Sequence, residues 1–191
     1  KVTVLGTIDY LKDNTKSFVE IIGKKEQNLL NQIIINKKYI MDYLARLKEN
    51  EEFEYWLGAD KEQILYVEKE LNIKLPKQYK FFLSQCGMCN FGDVSILGIA
   101  KDENTVNYSV VDVTKHLRNE INLSNDLIVL NYEVGEYLTL YKVSAEQELE
   151  DNPIYGAEIK YDGAEKIVLG KKEKIFSSFE DFFEDFIELG S

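Results

Sequence analysis

The chain is 191 residues long, 45% hydrophobic and carries a net charge of −11. That length fits one domain, or one domain with a small appendage. No apolar run reaches the roughly 20 residues that a membrane-spanning helix needs. A strongly acidic chain repels nucleic acid and lipid headgroups and draws in basic partners.

The pattern begins weakly. Val2 to Leu5 is expected as a short strand, and Leu29, Ile33, Tyr39 or Ile40, Leu44 and Leu47 as a rough helical stripe over 26–50. Residues 51–58 read as a connection holding the single tryptophan, Trp56. From Asp60 the signals sharpen. Asp60 and Gln63 stand at capping-box spacing, where the Asp accepts orphan amide protons and the Gln reaches back. Ile64, Val67 and Leu71 then recur at helical spacing. Pro76 forces Leu75 into extended geometry, so that helix must stop before it. Proline also suits the first turn of a following helix. Tyr79, Phe82, Leu83 and Cys86 form the second stripe, and Gly87 suits a helix-ending position with positive φ.

Asp93 to Ala100 reads as a strand and 107–121 as a helix, with Val110, Val113, Leu117 and Ile121 on one face. Residues 127–132 and 136–143 read as a hairpin turning at Gly135. Tyr137, Thr139 and Tyr141 alternate with Leu138 and Leu140. Residues 144–152 form a polar loop, 154–161 and 166–169 further strands, and Asp162-Gly163 a turn. Ser177 and Glu180 suggest a capping box for a closing helix whose Phe179, Phe182, Phe183, Phe186 and Ile187 give a wide apolar face. Short connections between strands imply antiparallel pairing. The expected fold is a single α+β domain, with a mostly antiparallel central sheet of five to six strands flanked by helices.

Chemistry is sparse. His116 is the single histidine, in a helix beside Lys115 and Arg118, so a surface position is the simplest expectation. Cys86 and Cys89 are the two cysteines, too few for a disulfide framework. Zinc needs about four ligands, and His116 is the one other soft donor. The expectation is a buried Cys86 and a Cys89 in a loop. No Gly-rich phosphate loop occurs, and Lys171-Lys172-Glu173-Lys174 is a short basic run in an acidic context. No catalytic, metal or cofactor site is therefore assigned. A carboxylate-dependent hydrolase is the weakest alternative, because 34 acidic residues single out no pair.

Residues 60–87 carry a further signal. Ile64, Val67-Glu68, Leu71, Leu75-Pro76, Tyr79, Phe82-Leu83 and Gly87 resemble the opening motif of the SUKH superfamily. More narrowly they resemble Smi/Knr-type proteins, which include fungal cell-wall-synthesis regulators and bacterial immunity proteins of the YobK kind. Later segments follow in the same order: Val94–Ile99, Leu127–Leu130 with Gly135-Glu136-Tyr137, Asn152-Pro153-Ile154, and Phe176-Ser177-Ser178-Phe179 with Phe182-Phe183. The chain departs at Cys86-Gly87, where the family has Asn-Gly, and residues 1–37 match nothing in it. The domain is accordingly drawn at 38–191, with 1–37 as an N-terminal extension.

The resemblance implies a non-enzymatic protein that binds and neutralises a cognate toxin, often a nuclease, with an intracellular scaffold or regulator as the alternative. Residues 120–162 carry two basic and ten acidic residues, a net −8. Such a stretch suits a partner with a basic surface, although charge runs are also ordinary solvated faces. The candidate contacts are Glu133, Glu136, Glu158 and Asp162. No nucleic-acid, membrane or cofactor partner is expected, and the oligomeric state stays open. The sequence does not open on a charged-then-apolar leader, so a cytoplasmic protein is the simpler expectation.

Overall fold

A computed structural model describes residues 49–99, 108–161 and 166–188, together with Ala45. The strand expected at Val2–Leu5, the turn at Asp162-Gly163 and most of the long helix expected over 26–50 lie outside the described residues; within that last range Ala45 is helical and Glu49 and Asn50 are not. Strand β1 (Phe53–Tyr55) leads into α1 (Lys61–Leu71) and α2 (Lys77–Cys86). Strands β2 (Cys89–Phe91) and β3 (Val94–Ile96) precede α3 (Val110–Ile121). The hairpin β4 (Leu127–Glu133) and β5 (Tyr137–Lys142) is followed by β6 (Ile154–Tyr161), β7 (Ile167–Leu169), β8 (Glu173–Phe176) and α4 (Phe179–Glu188). All pairings among these strands are antiparallel. One sheet runs β1-β2-β3; the five-stranded sheet runs β4-β5-β6-β7, and β8 also pairs with β6. This is an α+β fold.

The paired helices form as the residues dictate. The Asp60 carboxylate accepts from the Gln63 amide at 3.0 Å, and the Gln63 side chain accepts from the Asp60 amide at 3.0 Å. Asn72 ends α1 with φ 53°. Pro76 occupies the N-cap of α2 rather than its first turn, with extended φ −61° and ψ 149°. Proline's ring cannot supply a capping oxygen, so the α2 amides find acceptors elsewhere. Glu68, 5% exposed, takes the Leu75 amide at 2.9 Å and the Lys80 ammonium at 2.7 Å. A carboxylate from one helix thus fixes the Leu-Pro turn and the start of the next. Gly87 closes α2 at φ +62°, donating to the Leu83 carbonyl at 2.9 Å; a Cβ there would lie 2.6 Å from the Leu57 carbonyl. Both the backbone angle and the space require glycine.

The segment Ser144–Asn152 works as a double cap. Its Leu149 and Glu150 carbonyls accept from the Lys77 and Gln78 amides at 2.9 and 3.2 Å, which supplies α2 with the cap that Pro76 cannot give. One residue on, Asp151 accepts from the Phe179 amide at 2.9 Å and the Tyr141 hydroxyl at 2.5 Å, and from the Glu180 amide at 3.4 Å. The α4 N-terminus is therefore capped by Asp151 and by Ser178, whose hydroxyl accepts from the Asp181 amide at 3.0 Å. This replaces the capping box expected at Ser177 and Glu180.

With their starts fixed, α2 and α4 lay their aromatic stripes on the Tyr141 face of the sheet. Tyr79 meets Tyr141 edge-on at 5.9 Å and Phe179 at 5.4 Å; Phe82 meets Phe183 at 5.7 Å. Tyr79, Phe82, Tyr141, Phe179 and Phe183 are at most 1% exposed. Each ring pair adds about 0.5–1.5 kcal/mol beyond area burial. Leu138 to Tyr141 are all buried, so both faces of β5 are covered and the expected alternation there does not sort inside from outside. At the other side α3 packs against β4, and its Thr114 hydroxyl accepts from the Val129 amide at 3.1 Å. The Leu97 amide donates to the Leu130 carbonyl at 2.7 Å at the β4 bulge. These contacts occupy hydrogen-bonding groups that an edge strand would otherwise expose.

Three short strands depart from the sequence reading. Residues 51–58 contain β1 rather than a plain connection, Cys89 begins β2 rather than sitting in a loop, and β8 takes up Glu173–Phe176 next to the lysine run.

Two outcomes follow from the caps. Asp151→Ala should cost about 2–4 kcal/mol in urea unfolding, because it orphans two helix amides and a buried phenol together; a loss below 1 kcal/mol would remove Asp151 as a keystone. Lys80→Met should cost roughly 1–3 kcal/mol at pH 8 by stranding Glu68. Burial lowers the Lys80 pKa, but the hydrogen bonds to Glu68 and Glu148 outweigh it and raise it above the usual 10.5. A raised lysine contributes its stability below pH 10.5 and loses it as pH climbs through the folded value. The gap between wild type and Lys80→Met should therefore narrow above that pH, and a constant gap would contradict the ion pair.

Candidate partner-binding face

The sheet continues past the end of the helices. Residues paired across strands share a face, and the register places Glu133 opposite Tyr137 and Tyr137 opposite Glu158. Because side chains alternate, Tyr137 lies on the same face as Thr139 and Tyr141. The row Glu133–Tyr137–Glu158 is thus the outer end of the face that α2 and α4 cover. Glu133 and Glu158 are exposed and Tyr137 is half-buried. The Tyr137 phenol leans back over Gly156, where a Cβ would meet its hydroxyl oxygen at 1.7 Å. The ring is therefore held against the sheet between two carboxylates.

Glu136 joins this group from the turn. The β4–β5 turn runs through Val134, Gly135 and Glu136, closed by the Glu136 amide donating to the Glu133 carbonyl at 3.0 Å. Gly135 takes φ +83°, a region that favours glycine. The turn is tied to β6: the Ile159 amide donates to the Glu136 carbonyl at 2.7 Å, and the Tyr161 hydroxyl lies 3.0 Å from where a Gly135 Cβ would stand. The structure thus brings Glu133, Glu136 and Glu158 to one end of the sheet. Asp162, the fourth candidate, lies outside the described residues.

Glu148, Glu150 and Asp151 of the neighbouring segment are used differently. Glu150 pairs with Lys77 at 2.8 Å, Glu148 with Lys80 at 3.0 Å, and Asp151 caps α4. At the sheet end, among the described residues, Glu158 pairs with Lys160 at 3.1 Å, with side chains 67% and 64% exposed, and Glu133 and Glu136 make no such pair. Such an exposed pair contributes little to stability, so Lys160 holds Glu158 only weakly. Tyr132, on the opposite face beside Tyr161, has its hydroxyl pKa raised by burial first and by Tyr161 second. The exposed Val134 and Tyr161, 74% and 56%, were missed by the sequence reading. A valine in a hairpin turn, where Asn, Asp or Gly is usual, was the available signal.

The other reactive side chains do not converge here. His116 is exposed on α3. Among the described residues no group of three or more His, Cys, Asp or Glu side chains is placed to hold a metal ion, and no helix is long and apolar enough to cross a membrane. Cys86 and Cys89 are both fully buried, and burial pushes the Cys89 thiol well above its usual pKa, with Cys86 adding to the shift. A thiol that is neither exposed nor ionised is a poor nucleophile. Native protein should therefore leave both cysteines unlabelled by iodoacetamide at pH 8 over an hour, with full labelling in 6 M guanidinium; rapid native labelling of either would contradict this placement.

No curated protein matches the chain. The family model SUKH_5, described as SMI1-KNR4 cell-wall, matches residues 38–188. That match includes the Glu68 turn, both caps, the hairpin and the closing helix, and with it the chain belongs to the SMI1-KNR4 family of the SUKH superfamily.

Proposed function

We propose that this chain is a non-enzymatic immunity protein that neutralises a cognate bacterial toxin, of nuclease type, by direct binding in the cytoplasm. The observation that carries the reading is the separation of the acidic residues into two groups. Three of the four acidic residues of 144–151, Glu148, Glu150 and Asp151, are engaged in ion pairs or a cap within the domain. Those at the sheet end, Glu133, Glu136 and Glu158, face solvent on a backbone that hydrogen bonds hold in place. Carboxylates on a rigid support bind a cationic surface without first losing conformational freedom. A nuclease offers such a surface where it meets phosphates, and electrostatic steering speeds the encounter.

The description of the matched family as SMI1-KNR4 cell-wall favours a second reading, an intracellular scaffold or regulator. Such a protein would bind partners and protect against no toxin.

Co-expression with a toxin encoded beside the gene separates the two. The immunity reading expects cell survival, co-purification, and an association rate that falls about tenfold or more as salt rises from low to physiological. Absence of protection by wild-type protein against every neighbouring toxin, or partners recovered with no toxin among them, would favour the regulator.

A further inference from the structure

We infer that the β4–β5 turn is the docking tip for a cationic protein surface, with Val134 and Tyr161 as its apolar anchor and Glu133, Glu136 and Glu158 as its charged rim. The inference rests on the protein-binding reading above and adds to it a contact point and the chemistry of the partner.

The apolar part is the less expected one. Val134 is 74% exposed and Tyr161 56% exposed. Val134 precedes Gly135 in the turn, and Tyr161 reaches from β6, on the sheet face opposite the Glu133–Tyr137–Glu158 row, to within 3.0 Å of the position of a Gly135 Cβ. Their exposure does nothing for the fold. The turn needs glycine at 135 for its φ of +83° but needs no valine at 134. Interface hot spots combine an aromatic or aliphatic anchor with nearby polar groups; here Glu136 shares the turn with Val134, and Glu133 and Glu158 flank it on the other face of the sheet end. The support is fixed by the Glu136 amide to Glu133 carbonyl bond at 3.0 Å and the Ile159 amide to Glu136 carbonyl bond at 2.7 Å. A tip fixed in this way loses little entropy on binding.

Charge selects the occupant. Among the described residues the rim holds three carboxylates and one paired cation, Lys160 on Glu158. A neutral apolar surface would leave the three carboxylates desolvated without partners, which costs more than the anchor returns. An apolar side chain set among arginines or lysines satisfies both parts at once.

A probe that needs no knowledge of the partner tests this: a hexapeptide of alternating arginine and leucine, compared with one in which glycine replaces leucine. Titrated into the full chain and followed by amide NMR, the leucine peptide should shift Val134, Gly135, Glu136 and Glu158 first. Val134→Ser should weaken it about fivefold or more, and Glu133→Lys with Glu136→Lys should do at least as much. Glu146→Lys, exposed on the capping loop, should leave the tip response in place. Equal binding of the glycine peptide, or shifts spread evenly over the acidic surface, would overturn the anchor. So would a dimer in sedimentation that Val134→Ser dissolves, since a second copy would then be the occupant. Tip binding of the peptide without toxin protection counts against the immunity reading alone. Toxin protection that survives both sets of tip variants counts against the docking tip alone.

Discussion

Two helices that cover one sheet face, α2 and α4, must both begin somewhere, and each leaves unsatisfied amide groups at its first turn. In α2 the problem is acute, because proline stands at the N-cap and no side chain there can help. The segment Ser144–Asn152 meets both needs from a single stretch of backbone. Carbonyls of Leu149 and Glu150 serve α2, and the carboxylate of Asp151 serves α4 and the Tyr141 phenol. Ion pairs from Lys77 and Lys80 pull the same segment against α2. The aromatic cluster of Tyr79, Phe82, Tyr141, Phe179 and Phe183 depends on that arrangement, since these rings lie on elements whose relative positions the caps determine.

The same arrangement explains why acidity at 120–162 is not one property. A carboxylate that caps a helix, as Asp151 does, is already engaged, and a partner that took it would have to free the α4 N-terminus. The glutamates at the far end of the sheet carry no such duty. Along the sheet the end covered by α2 and α4 holds the fold together, and the far end presents charge on a fixed turn, where the proposed binding is assigned. Glu68 belongs to the first group, and its place inside the recognisable Leu-Pro motif reflects the turn it holds rather than chemistry it performs.

Much of this was legible in the residues, and what was not has particular causes. The Asp60–Gln63 box, the stripes of α1 and α2, the β4–β5 hairpin and the Phe-rich α4 are local patterns, readable because the residues that decide them lie within a few positions of one another. The double cap was invisible because Lys77 and Leu149, or Asp151 and Phe179, meet across long stretches of chain. Strands β1, β2 and β8 have three or four residues each, too few for a period of two to declare itself. Cys89 lies in β2 because its partners Tyr55 and Ile96 are there to pair with it. At the candidate face, the charge was legible, but the row Glu133–Tyr137–Glu158 needed the register and the Val134–Tyr161 pair needed the fold.

Native-state amide hydrogen exchange tests the double cap most directly. If Ser144–Asn152 joins α2 and α4 into one cooperative unit, the amides of Lys77, Gln78, Phe179 and Glu180 exchange together, with opening free energies close to those of the β5 core amides. If the Phe179 and Glu180 amides exchange rapidly while those of Lys77 and β5 stay protected, α4 opens on its own, and Asp151 does not tie the two helices together.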